Sequence, residues 1–266
     1  MKAQDGLEGI IVEKYYVSTA ADQKASLYSG ELPVGSVTYR IYVDLKPGYT
    51  FQAAYGTPLN PLFIKSTKPF YNHTESGITH PNILPERTLK KNITLLDSWL
   101  TVGAAGENHL GILKINDDDI PDDFVKFEKG YLENKSGKKD YSILQKDGLQ
   151  RSDVLPFPTF YQMDSCLYHL GSLTNGNSLV VENGAWACMG KGAFGADSLT
   201  TNNVLIAQLT TAGELSFELN LLIGAPNGTS QKYVAKNPDL GVWVHNDLTY
   251  SGKSQRKKKK NRKPKK

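Results

Sequence analysis

The stretch Gly-Ala-Trp-Ala-Cys-Met-Gly-Lys-Gly, from Gly184 to Gly192, holds residue types that cradle a phosphate. A phosphate-binding P-loop places four residues between its glycines and a serine or threonine after its lysine, where the hydroxyl holds magnesium. Here five residues separate Gly184 from Gly190, a glycine follows Lys191, and strand-like sequence follows where a helix is needed. Nucleotide binding is therefore not expected. Hydrolytic chemistry has no better footing, since there is neither a Gly-x-Ser-x-Gly elbow nor a His-Glu-x-x-His pair. The histidines (His73, His80, His109, His169 and His245) are scattered, and Cys166 and His169, three residues apart, would point to opposite faces of a strand. Cys166 and Cys188 read as two reduced, partly buried thiols, because one possible pair does not make a disulfide framework. No catalytic residue is assigned, and the chain is expected not to be an enzyme.

Metal binding has one candidate. Asn116 to Asp123 carries five carboxylates in a loop-like run with a proline, and calcium favours oxygen ligands on flexible loops. Asp117, Asp119 and Asp122 are the candidate ligands, although the central glycine and distal glutamate of an EF-hand are missing. A solvated acidic linker has the same composition. Calcium is the one cofactor this run admits, and none is required. Aromatic residues suggest a sugar-stacking platform, with Tyr15, Tyr16, Tyr49, Tyr55, Phe70, Tyr71 and Trp243 as its members. Cross-strand packing of aromatics in a β protein explains the same residues.

The strongest signal is the last segment. Lys253, Arg256, Lys257, Lys258, Lys259, Lys260, Arg262, Lys263, Lys265 and Lys266 place ten cations after Gly252 with no acidic residue among them. Such a segment cannot contribute to a core and should be disordered when alone. It is expected to bind a dense polyanion: nucleic acid, an acidic membrane surface or an acidic protein face. Neutralising phosphates would make that contact steeply salt-dependent, and the lack of aromatics argues against base stacking or sequence readout. The formal net charge of +4 hides this division, since removing the tail leaves 21 basic against 27 acidic residues. No apolar run is long enough to span a membrane as a helix, and no signal peptide is expected.

The elements that would carry these residues are strands. Fourteen tyrosines and 24 glycines beside three methionines lean toward strands and turns. Gly9 to Val17 is a β-branched and aromatic run, followed by a polar excursion or short helix from Ser18 to Gly30. In Ser36 to Leu45, Val37, Tyr39, Ile41 and Val43 alternate with Thr38, Arg40, Tyr42 and Asp44, the pattern of a strand with one wet face. Tyr49 to Tyr55 and Leu62 to Ser66 read as strands, and Pro69 to Lys91 as a long surface loop. Ile93 to Val102 predicts a strand, and Gly103 to Gly106 a turn before a strand over His109 to Ile115. Val204 to Leu209, the turn Thr211-Ala212-Gly213 and the alternating Phe217 to Ile223 predict a hairpin, with Glu218 and Asn220 facing outward.

Residues 1–120 and 153–252 form two halves, separated by an acidic, then lysine-rich crossing at 121–152 and followed by the disordered tail at 253–266. Trp99 and Gly103 match Trp186 and Gly190 in spacing, which suggests two related halves. With almost no 3.6-residue periodicity, the fold class is all-β: an antiparallel β-sandwich, jelly-roll-like or immunoglobulin-like.

Gly6-Leu7-Glu8-Gly9-Ile10-Ile11-Val12-Glu13-Lys14-Tyr15-Tyr16-Val17, the Leu32 to Asp44 segment, Asp97-Ser98-Trp99-Leu100 and Val204 to Thr211 resemble a β-rich module repeated in large secreted or surface proteins of marine-type bacteria. The resemblance covers most of residues 6–225 and brings no catalytic motif with it. It implies a binding module, for carbohydrate or protein adhesion, at the cell surface or outside the cell. The single copy, the start without an export signal and the lysine tail instead suit a subunit of a larger assembly, such as a phage or virus particle. The leading expectation is a non-catalytic structural protein of a virion, forming homo-oligomers or meeting other subunits, with its tail on nucleic acid or an acidic neighbour.

Overall fold

The computed structural model describes residues 5–85, 93–114, 124–127, 131–134, 148–153, 158–161, 176–188 and 190–252. Strands dominate, and nearly all of their pairings are antiparallel. A first sheet runs, in spatial order, β5 (Trp99–Leu100), β14 (Asn203–Thr211), β2 (Val37–Leu45), β1 (Leu7–Val17), β9 (Tyr131–Asn134) and β8 (Phe124–Phe127). A second is ordered β11 (Pro158–Tyr161), β13 (Gly184–Cys188), β3 (Thr50–Gly56), β16 (Leu221–Gly224), β17 (Ser230–Val234) and β18 (Val242–Val244). A third holds β12 (Ser178–Val181), β4 (Leu62–Ser66), β15 (Leu215–Glu218) and β19 (Thr249–Ser251). A small fourth sheet holds β10 (Leu149–Arg151), β7 (His109–Gly111) and β6 (Ala104–Gly106).

The second and third sheets are one bent layer. Three connections cross from one to the other, β3 to β4, β12 to β13 and β15 to β16, and the lateral order is the same on both sides. Gly56 sits at this bend because nothing larger fits: a Cβ there would overlap the Val181 carbonyl oxygen. Asn220 fixes the other limb, donating to the carbonyls of Tyr55 (3.1 Å) and Asn60 (2.7 Å). Its own carbonyl accepts from the Tyr55 amide at 3.0 Å.

One hydrophobic cluster lies between the first sheet and the bent layer. It joins Ile10, Val12, Ile41, Val43 and Leu209 to Phe51, Ile64, Leu179, Trp186, Phe217 and Tyr233. This is the sandwich that alternation in β2 predicts. Strands from residues 1–120 and 153–252 share each of the three larger sheets, as β2 lies between β1 and β14, and β3 between β13 and β16. Trp99 and Trp186 occupy unlike places. Trp99 is in a two-residue strand at the margin of the first sheet, while Trp186 is within the second sheet facing the main core.

The expected wet face of β2 is not wet. Thr38, Arg40 and Tyr42 are all buried, because a second layer covers the outer face of the first sheet. Ile11, Tyr42 and Leu205 pack there against Trp99, Ala105 and Leu113, and Tyr15 and Tyr16 against Leu32, Tyr71 and Leu96. The covering elements include the stretch read as surface loop, in which Phe70, Tyr71 and His73 are buried. A register shift between Leu205 and Ala207 lets β14 serve both layers. It puts Val204, Ile206, Ala207 and Leu209 on the core side and sends Gln208 outward, opposite Arg40.

Several local expectations hold: β1 to β4 lie where strand-like runs put them, and a capping box at Thr19 and Asp22 opens a short helix, α1 (Ala20–Ala25), inside the polar excursion. Two do not. Residues 94–96 form a 3-10 turn, leaving only Trp99–Leu100 as strand, and Ala104–Gly106 is a strand where a turn was expected. The hairpin is also absent: β14 pairs with β2 and β5, whereas β15 pairs with β4 and β19. Thr211-Ala212-Gly213 is therefore a corner between opposite layers. Glu218 and Asn220 do not face solvent, being 8% and 1% exposed.

Candidate functional site: a closed polar layer and an open groove

Two places collect polar side chains, and they differ in access. The first lies under the cover. Arg40 on β2 donates from Nε to Gln208 Oε1 at 3.0 Å and from Nη1 to the Gly148 carbonyl at 2.9 Å. Its guanidinium lies over the Tyr15 ring. Glu13 on β1 accepts the Lys114 amide at 2.8 Å, while the Tyr42 hydroxyl donates to the Ile112 carbonyl at 2.8 Å. Three of these links, those to Gly148, Lys114 and Ile112, tie a strand of the first sheet to backbone in the covering layer. Burial raises the pKa of the Glu13 carboxyl, an effect partly offset by the Arg40 charge and the Lys114 amide. A charged group in a dry interior needs this kind of pairing.

Asp97 closes the other end of the layer. Its carboxylate accepts the backbone amides of His73 (2.9 Å) and Ile78 (2.6 Å), and Gln208 Nε2 donates to its carbonyl at 2.9 Å. Burial moves its pKa up to about 7 against the pull of those amides. Glu13, Arg40 and Asp97 are each 1% exposed or less. Their hydrogen-bond partners are backbone groups and the side chains of Gln208 and Tyr42, so the geometry serves to fasten the cover.

The second place is open. On the outer face of the second sheet, Tyr55, Leu222 and Val242 form the floor of a groove of about 410 Å³, with Asn60, Lys232 and Asp239 at its walls. Burial raises the Tyr55 hydroxyl to about 12, with the Asp239 charge adding to it. Asn220 positions this site by holding the carbonyls of both Tyr55 and Asn60. On the far wall the chain turns through Asn237 and Gly241, at φ 50° and 80°, and the Val242 amide closes the turn on the Asp239 carbonyl at 3.0 Å. That turn presents Leu240 fully to solvent. The groove can hold a side chain or a small polar group, and it carries one cation and one anion.

The expected site residues fall as follows. The ten cations from Lys253 to Lys266 lie outside the described residues, as do Asp117, Asp119 and Asp122, and the Cys166–His169 pair. Cys188 is a buried strand residue whose thiol burial pushes up. Gly190 and Gly192 make a tight turn after β13, and the Lys191 carbonyl accepts from Thr50 Oγ1 at 2.8 Å, so this stretch connects strands. Among the described residues no three of the types His, Cys, Asp and Glu gather as a metal site. No helix there is long and apolar enough to cross a membrane.

The aromatic platform is taken apart by the fold. Tyr15, Tyr16, Tyr49, Phe70 and Tyr71 are buried, and Trp243 packs against Tyr233 with centroids 6.3 Å apart. Only Tyr55 reaches the groove. Lys232, Asp239 and Leu240 drew no functional reading from the sequence. Their one visible signal was a large apolar residue, Leu240, directly after the polar Asn237-Pro238-Asp239. Comparison with protein-family models, with curated proteins and with solved structures finds no match for this chain.

Proposed function

We propose that this chain is a non-catalytic structural protein, a β-sandwich subunit of a larger assembly such as a phage or virus particle. In this reading the body supplies the contacts between subunits and the basic tail lies on nucleic acid or on an acidic neighbour. One observation carries it: the ten-cation segment from Lys253 to Lys266 follows one residue after β19, an edge strand of the third sheet. The buried polar groups support it, since Glu13, Arg40 and Asp97 are engaged in fastening one layer to another.

The test is binding of generic double-stranded DNA by the full chain and by a chain ending at Gly252. The full chain is expected to bind at low salt, with log K falling by about 0.9 per phosphate neutralised for each decade of salt, and the shortened chain not to bind. Equal binding by both, or no binding by either, removes the nucleic-acid contact. A second reading, a surface or extracellular module for carbohydrate, is favoured by the Tyr55 ring in a polar groove. A glycan array with the full chain and with Tyr55→Ala separates it from the first: saturable binding lost in the variant would favour the module.

A further inference from the structure

We propose that the groove beside Tyr55 is a contact between two copies of this chain, related by a twofold axis that sets each copy's Lys232 against the other's Asp239. This rests on the assembly reading above and names the surface that would carry it.

Three observations lead there. First, the two outer faces of the sandwich are treated differently. The first sheet's is covered, whereas on the second sheet's the groove, with Leu222 and Val242 in its floor, is open to solvent among the described residues. Second, large apolar side chains stand around that groove. Leu240 on its wall is fully exposed, Leu59 in the adjoining turn is 74% exposed, and Val244 continues the face of Val242 at 48%. Exposed apolar groups gathered at one place mark an association surface more often than they occur by chance.

Third, the charges suit a self-contact. Lys232 and Asp239 both border the groove and both are exposed, yet neither makes an ion pair among the described residues. Nearby Lys236 does, meeting Glu218 at 3.0 Å. In a twofold contact residue i of one copy meets residue j of the other, and j meets i, so one surface must carry both signs. This one does. A polyanion would instead call for a single sign, and a sugar for more aromatic surface than Tyr55 alone supplies. The open volume also leaves space for the partner's Leu240, whose burial there would remove an exposed apolar side chain from water.

The experiment is sedimentation velocity of the full chain without nucleic acid, over a range of protein and salt concentrations, with circular dichroism confirming that each variant is folded. The expected result is a dimer weakened about tenfold by Lys232→Glu and by Asp239→Lys separately, and restored when both are combined. Leu240→Asp is expected to weaken it as well. A dimer indifferent to all three changes, or a chain monomeric throughout, overturns the self-contact. So does a charge swap that fails to restore what the single changes lost. A monomer that still gathers on DNA through its tail overturns this contact and leaves the assembly reading standing. A groove-dependent dimer that ignores DNA upholds the contact and counts against the tail's role.

Discussion

The guanidinium of Arg40 stands 3.6 Å from the ring centroid of Tyr15, on the face of β2 that turns away from the main core. The Lys114 ammonium lies 4.3 Å from the same centroid. Beside them the Glu13 carboxylate, which accepts the Lys114 amide, supplies the opposite charge, and the cover excludes water. The cluster is a clamp: β1 and β2 supply the charges, and Gly148, Ile112 and Lys114 supply the backbone groups they hold.

Arg40→Met is expected to lower stability by about 3–5 kcal/mol, the cost of leaving a buried charge without its partner. Arg40→Lys should recover little of it, because an ammonium cannot meet Gln208 and Gly148 in the same fork. Urea unfolding of the three proteins gives both numbers.

Asp97 makes a prediction about pH. Its folded pKa, about 7, lies above its ordinary value of 3.8 because burial disfavours the charge. Between those values the folded state binds more protons than the unfolded one. Its contribution to stability is therefore fully present below pH 3.8 and is lost as pH rises through 7, by at most about 1.4 kcal/mol per pH unit. Glu13, also raised, works in the same direction. Unfolding midpoints measured from pH 4 to pH 8 should fall, and Asp97→Asn should flatten that slope whatever it does to stability at one pH.

Gly56→Ala is expected to cost about 3 kcal/mol, since the added methyl meets the Val181 carbonyl in paired backbone that cannot step aside. Gly35→Ala provides the contrast. It has open space around it, but with φ at 82° its cost, about 1–2 kcal/mol, is backbone strain alone. Thermal unfolding of the pair separates collision from strain.

Asn220→Ala removes two hydrogen bonds to buried carbonyls and should cost about 2 kcal/mol. Because those carbonyls belong to Tyr55 and Asn60, hydrogen exchange should rise selectively at Tyr55, Thr57 and Asn60. Uniform acceleration would point instead to global destabilisation.

Much of the sandwich was legible in the sequence because β1 to β4 are short runs rich in β-branched and aromatic residues, and β2 alternates with period two. The second layer was not. Thr38, Arg40 and Tyr42 look like a solvent face, and only their distant partners at Thr210, Gly148 and Ile112 show that it is closed. The false hairpin has a similar origin. Val204 to Leu209 and Phe217 to Ile223 are both strands next to a turn, but whether neighbours in sequence pair or cross between layers depends on what else each can bond. The groove was less legible still, being a product of the bend at Gly56 and of the turn at residues 237–241. Those two features are far apart in sequence, and Asn220 joins only the first to the strand beside it.

The position of β14 governs the order in which this chain can fold. Thr38 and Thr210, hydrogen-bonded at 2.7 Å, are 172 residues apart, and Arg40 waits 168 residues for Gln208. During synthesis β2 is made early, yet its neighbour on one side emerges only after most of the chain. Pairings this distant close slowly, on the order of milliseconds to seconds. Until they close, the Ile41 and Val43 face and the Arg40 face are bare together, an interval in which a nascent chain is open to wrong partners and to chaperones. The basic segment follows β19, so it is made only after the strands that precede it.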